Sequence, residues 1–376
     1  MSSFDPNRLT LARWAAGMTK TELASELGMS PASVSQYEAG NTNPSLTVLA
    51  QLSLSLGVHP RYFSASPHRR TPSTTTRSFF RSLRGTRQWE RDQADALAEH
   101  AYDLVWFVDQ RVRLPKTAIP SIPVRPDATR QEIEKVASEV RTTWGIAPGR
   151  PIANVVRLAE AHGAVVCRLR HGSHKVDAFS RWYVSRPVVV LWNLKNNKAR
   201  SRFDAAHELG HLVMHHEPEF SDQRQERQAH MFAAGILMPT DAIIDDLPRR
   251  PPTASGWDHL KDLQRRWGVS IAALLFRARE LEALSEAGFR RAMTQYNQLG
   301  FRAFDGQALG EPEEPKLLAE AVTAILRHKS WTLDDLAEEL LFTRRQLDQI
   351  IGEMRAEPGD SSAEHLENVV SLRAAD

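Results

Sequence analysis

Phe203-Asp204-Ala205-Ala206-His207-Glu208-Leu209-Gly210-His211-Leu212-Val213-Met214-His215 is the stretch on which the reading of this chain turns. Its apolar neighbours Phe203, Leu209, Leu212 and Met214 mark a buried helix. Residues four apart on a helix lie one above the other, so His207 and His211 present two imidazoles to a single metal ion. Glu208 follows the first histidine and points beside that ion rather than at it. From there a carboxylate takes a proton from water and later passes it to a leaving amine. By composition, His-Glu-x-x-His is expected by chance only roughly 0.03 times in a chain like this, so the motif carries weight.

A catalytic zinc takes three protein ligands and leaves a fourth position for water. Two residues compete for the third place. His215 continues the four-residue spacing, but its Cα falls two turns, or ~12 Å, from that of His207 along a straight helix. Glu226 opens the next amphipathic segment, Glu226-Arg227-Gln228-Ala229-His230-Met231-Phe232-Ala233-Ala234-Gly235-Ile236-Leu237-Met238-Pro239. A helix folding back antiparallel brings its start to the end of the first one, so Glu226 is preferred.

Working outward, residues 131–144 and 152–161 read as helices, and 164–168, 178–183 and 188–192 as short Val-rich strands. Helices, a small sheet and more helices to about Leu299 argue an α+β domain over 128–299. Cys167 reads as a core residue of a strand. Trp182 and Tyr183 also read as core, with a substrate groove as the alternative.

The first 63 residues read as an all-α domain of short helices. Asp5-Pro6 starts one, Thr19 and Glu22 form a capping box for the next, and Gly28-Met29 makes a tight turn. Ser30-Pro31 caps the third, which Gly40 ends, and Ser45–Leu56 is the fourth. Leu23, Ala24, Leu27, Met29 and Val34 lock the second and third helices together, as a DNA-reading helix-turn-helix requires. Ala32, Ser33, Ser35 and Gln36 then face the bases, with Gln suited to adenine. Thr19, Lys20, Ser30 and Asn41 sit near helix ends, where phosphate is held.

Residues 64–127 read as a linking region. Its first part carries Arg69, Arg70, Arg77, Arg81, Arg84 and Arg87 without an acid, its middle (89–114) is a connecting helix, and four prolines stiffen 115–126. Residues 300–376 form a C-terminal helical region with a disordered tail. Within it, Trp331 to Ile350 overlays Met18 to Tyr37 without a gap, although Leu341 stands where Gly28 makes the turn. Asp334, Asp335, Glu338 and Glu339 make that copy acidic, which argues against DNA contact.

The whole chain of 376 residues carries 48 basic and 46 acidic side chains, a net charge of +2, so nucleic-acid affinity must come from a local surface. No apolar run approaches the ~20 residues of a membrane span. One cysteine excludes disulfide frameworks and thiolate clusters, and the opening Met-Ser-Ser-Phe-Asp lacks a signal-peptide pattern. A cytoplasmic location without membrane contact is expected.

Two family resemblances follow. Thr21-Glu22-Leu23-Ala24, Gly28-Met29-Ser30, Val34 to Gly40 and Asn43-Pro44-Ser45 resemble the Xre/Cro-type helix-turn-helix family. Arg202-Phe203, Ala206 to His211, His215, Glu226, Ala229, Phe232-Ala233 and Leu237-Met238-Pro239 resemble the ImmA/IrrE metallopeptidases. That family differs at Gly235-Ile236, where it more often has a good helix former. The second resemblance implies a zincin-like fold, zinc on His207, His211 and Glu226, and Glu208 as general base. It also implies a stress- or phage-linked endopeptidase that cuts a helix-turn-helix repressor or itself. A double-stranded operator is the expected DNA partner, and paired half-sites suit a homodimer. Two other functions stay open: a non-proteolytic transcription factor with a metal or ligand sensor, and an antitoxin or defence component.

Overall fold

The computed structural model describes residues 4–64, 79–80, 87–169, 178–183, 186–192, 197–215, 223–352 and 371–372. Most of the basic stretch 64–87 and most of the tail beyond 352 lie outside the described residues.

Four short helices open the chain: α1 (Pro6–Ala15), α2 (Lys20–Glu26), α3 (Pro31–Glu38) and α4 (Leu46–Leu56). Each starts on a side-chain cap, from Asp5, Thr19, Ser30 and Ser45 respectively. None is long enough to persist alone, so packing of Leu9, Ala12, Leu23, Ala24, Val34 and Leu52 holds them. Gly28, at φ +64°, makes the turn between α2 and α3.

A two-residue strand, β1 (Phe79–Phe80), precedes the long helix α5 (Gln88–Asp109) and the short strand β2 (Val112–Arg113). The connecting helix thus ends earlier than its apolar pattern suggests. It is also no exposed spacer. Ala94, Ala98, Ala101, Leu104, Val105 and Val108 are all buried, because α5 lies between the N-terminal helices and the sheet. Arg8 of α1 is ion-paired with Asp103 of α5, both side chains buried.

After α6 (Arg130–Thr143) and α7 (Val155–Ala161) come β3 (Val165–Leu169), β4 (Ala178–Tyr183) and β5 (Arg186–Trp192). The sheet order is β1-β4-β5-β3, with β3 parallel to β5 and the other pairings antiparallel. Successive side chains of a strand face opposite sides, and here both sides are covered. Val166, Ala178, Val189 and Leu191 join one apolar cluster, built on α8 (Lys198–Met214) and α9 (Gln223–Leu237). Val165, Cys167, Phe179, Tyr183, Val188 and Val190 join another, shared with α5 and the N-terminal helices. Burial on both faces explains why the strands read as nearly continuous apolar runs.

The α8 side is completed by α10 (Thr240–Ile243), α11 (Ala254–Trp267), α12 (Ile271–Glu280), α13 (Glu286–Gln298) and α14 (Phe301–Phe304). The other side receives α15 (Leu317–Lys329), α16 (Leu333–Leu340) and α17 (Arg344–Ile351), and β6 (Ser371–Leu372) pairs with β2. The fold is therefore a helical N-terminal unit, an α+β region with a small sheet, and a helical C-terminus.

The internal overlay extends to conformation. Thr332 and Asp335 form a capping box as Thr19 and Glu22 do, and Thr343 caps α17 as Ser30 caps α3. Leu341 adopts φ +57°, the left-handed geometry of Gly28, in spite of its side chain. α17 is turned inward: Leu347 and Ile350 are buried, and Thr343 Oγ1 donates to the Gly57 carbonyl at 3.2 Å.

Candidate metal centre and DNA-reading helix

Asn197 starts α8 by accepting the Arg200 amide at 3.1 Å, and from there to Met214 the helix is almost wholly buried. Its middle lies against α9 at Gly210, where a Cβ would come within 2.9 Å of the Phe232 ring. That close approach sets Glu226, in the first turn of α9, opposite the two histidines. The facing donors are close together: His207 Nε2 to His211 Nε2 is 3.1 Å, and Glu226 carboxylate oxygens lie 3.3 Å from His207 and 3.4 Å from His211. Ligands at ~2.0–2.1 Å around one tetrahedral ion stand about 3.3–3.4 Å apart. Two imidazoles and one carboxylate at this spacing fit a single such ion. Burial alone would raise the Glu226 carboxyl, but hydrogen bonds and charge from His207 and His211 bring it down to about 2. It is ready to bind a cation at neutral pH.

His215 does not join this group. Its Nδ1 lies 3.0 Å from Nδ1 of His211, the ring nitrogen facing away from the donor cluster. Its Nε2 lies 3.0 Å from Gln228 Oε1, and Gln228 Nε2 donates to the Arg125 carbonyl at 2.7 Å. This relay fixes the tilt of the His211 ring, as outer partners of metal-binding histidines do. Glu208 is fully buried and accepts a 2.7 Å hydrogen bond from Ser180 Oγ on β4. Nothing in the sequence points to Ser180 or Gln228, since both act through contacts made only on folding.

One turn along the same face, Phe203 and His230 stack obliquely at 4.7 Å. With Met238 and Phe276 they line a cleft of about 460 Å³, whose walls include none of the three donors. Trp182 donates to the Leu212 carbonyl at 3.3 Å, while Tyr183 stacks on Tyr102 of α5 at 3.7 Å. These two neighbouring aromatics of β4 thus serve opposite faces of the sheet. Cys167 is buried in β3, and burial pushes its thiol up to about 12, so it is inert.

In the N-terminal unit, Ala32 and Gln36 of α3 are exposed, with Ser33 and Ser35 half-buried beside them. Thr19, Ser30 and Asn41 are also exposed. Thr19 and Ser30 cap their helices, so their hydroxyls are engaged with Glu22 and Ser33 amides at 3.2 Å each. Lys20 lies 3.4 Å from Glu38, which also holds Arg13 through two hydrogen bonds.

Residues 11–63 match the helix-turn-helix family, and residues 159–279 match the Peptidase M78 family, described as the IrrE N-terminal-like domain. The chain carries a helix-turn-helix domain followed by an IrrE N-terminal-like domain. No curated protein matches it. The helix-turn-helix match takes in α2, α3 and α4, and the IrrE-like match takes in the whole donor cluster, Glu208 and Ser180. Helices α5, α6 and α13 to α17 fall outside both. Gly235 of the IrrE-like domain, an unusual residue inside a helix, sits where a Cβ would be 3.2 Å from Ala137 of α6. Close packing explains it.

Proposed function

We propose that the chain is a DNA-bound, zinc-dependent endopeptidase that regulates transcription by cutting itself or a helix-turn-helix repressor. The observation that carries this reading is the pairing of the His207–His211–Glu226 donor set with a buried carboxylate, Glu208, held in place from the sheet. His207, His211 and Glu226 would hold the ion, which when bound supplies Lewis acidity to acidify water and polarise the scissile carbonyl. Glu208 takes the proton of the attacking water as its oxygen adds to the carbonyl carbon. As the C–N bond breaks, Glu208 returns that proton to the departing amine. Ser180 keeps the Glu208 carboxylate at one position through both transfers, and His215 keeps His211 aimed. The exposed face of α3, with Gln36, would read the operator, and Thr19, Lys20, Ser30 and Asn41 would approach phosphates.

The test compares protein termini by mass spectrometry in cells carrying the wild-type chain or Glu208→Gln, with and without DNA damage. Termini that vanish with Glu208→Gln support the peptidase and name its substrate. Identical termini in both cells overturn it.

A second reading, a transcription factor whose IrrE-like domain senses a metal or ligand without cutting, draws support from one feature. The helix-turn-helix unit, α5 and one face of the sheet share a single apolar cluster. Metal-dependent operator affinity that survives Glu208→Gln would favour it.

A further inference from the structure

The internal overlay sets Arg345, Gln346 and Gln349 of α17 on Ala32, Ser33 and Gln36 of α3. In the first copy those positions are placed to face bases. In the second they form one wall of a cavity of about 410 Å³, whose other walls are the end of α1, the end of α4 and the first half of α5. No residue of α3 and none of the three metal donors lines it, so it is separate from both sites described above. Thr343, which caps α17, fastens this wall to the Gly57 carbonyl beside the cavity.

The cavity holds hydrogen-bonding groups that the fold leaves unused. Gln346 is only 8% exposed, and its Oε1 accepts the Thr343 amide at 2.9 Å, while its Nε2 has no partner among the described residues. The half-buried side-chain amide of Gln349 has none among them either. Ser55 of α4 adds a buried Oγ with no hydrogen bond. Buried polar groups left in this way call for a ligand or water. Arg345 is exposed and carries no ion pair among the described residues, and no aspartate or glutamate among them lines the cavity. Ala12, Leu56 and Leu97 supply apolar wall. A volume of this size lies in the range of small-molecule sites. A glutamine amide presents a donor and an acceptor side by side, which matches the N6 and N7 edge of adenine. A guanidinium on a wall without acids suits phosphate.

We propose that this cavity binds an adenine nucleotide, with the base edge on Gln346 and Gln349 and the phosphate on Arg345. The reading helix of the second copy has then exchanged a duplex for a single nucleotide. The bound molecule bridges the helix-turn-helix unit to the C-terminal helices, since its walls come from both. Neither metal nor cleavage enters, so this inference stands or falls apart from the peptidase reading.

The experiment titrates the full-length chain calorimetrically with AMP, adenosine, CMP and inorganic phosphate. AMP is expected to saturate one site per chain, and CMP and phosphate to bind at least tenfold more weakly. Arg345→Ala is expected to weaken AMP at least tenfold and leave adenosine unchanged, whereas Gln349→Leu weakens both. Thermal melting of each variant without ligand verifies its fold. Amide exchange reads the site without any variant: AMP is expected to slow exchange in α17 and at the end of α4 at least threefold. No saturable AMP binding, CMP or phosphate binding as tightly as AMP, or AMP affinity unchanged in either variant overturns the proposal. A loss in Arg345→Ala that adenosine shares overturns the placement of the phosphate.

Discussion

His215 shows how far a residue's role can depart from its spacing. It stands four residues after His211, as His211 stands four after His207, yet it meets the far side of the His211 ring. Its removal should loosen that ring without taking away a donor. His215→Ala is expected to lower metal affinity about 10- to 100-fold, read by chelator competition, while His207→Ala abolishes binding. On the DNA side, Gln36→Ala should cost about 1–3 kcal/mol of operator affinity and leave binding to random DNA unchanged, measured by titration of both duplexes. The donor residues were legible because His207 and His211 share one helix face and Glu226 opens the next amphipathic run. Ser180 was not. It lies 28 residues before Glu208 and meets it only because β4 packs on α8.

Among the elements, the α8–α9 contact carries the most consequence. Gly210 lets the two helices approach, and the Phe232 ring it faces is fully buried and has no room to withdraw. Alanine at position 210 would gain up to about 1 kcal/mol of helix propensity but overpack the contact by about 1–3 kcal/mol. Gly210→Ala is therefore expected to push α9 outward and cost more metal affinity than stability, with the two read by chelator competition and thermal melting. The capping boxes and Val-rich strands could be read from sequence because their signals are local. The part played by α5 could not. Its alanines, Ala94, Ala98 and Ala101, allow close packing, but the sheet and helices that cover them lie far away in the chain. Gly235 likewise departs from the good helix former that the family more often has there, and only the packing of α6 accounts for it.

For the whole molecule, Glu160 joins the IrrE-like domain to the C-terminal helices. Its carboxylate accepts the amides of Lys316 and Leu317, at 3.0 and 2.9 Å, from the start of α15. Burial raises it from 4.5 to about 7. Between those values the folded chain keeps a proton that the unfolded chain has released, so the stability this group contributes is full below 4.5 and gone above 7. Wild-type stability should fall between pH 5 and 8 by roughly 2–3 kcal/mol more than that of Glu160→Gln, which stays neutral throughout. Denaturant titrations at the two pH values check this.

Two carboxylates one turn apart on α5 have a wider bearing. Glu99 grips Arg181 of β4, and Asp103 grips Arg8 of the helix-turn-helix unit. A rigid helix thus spans the distance from the strand beside Glu208 to the domain that carries Gln36. If a ligand held at the donor cluster alters operator affinity by some factor through this lever, DNA must alter the affinity for that ligand by the same factor. The operator would then act as an effector of the site as well as its address.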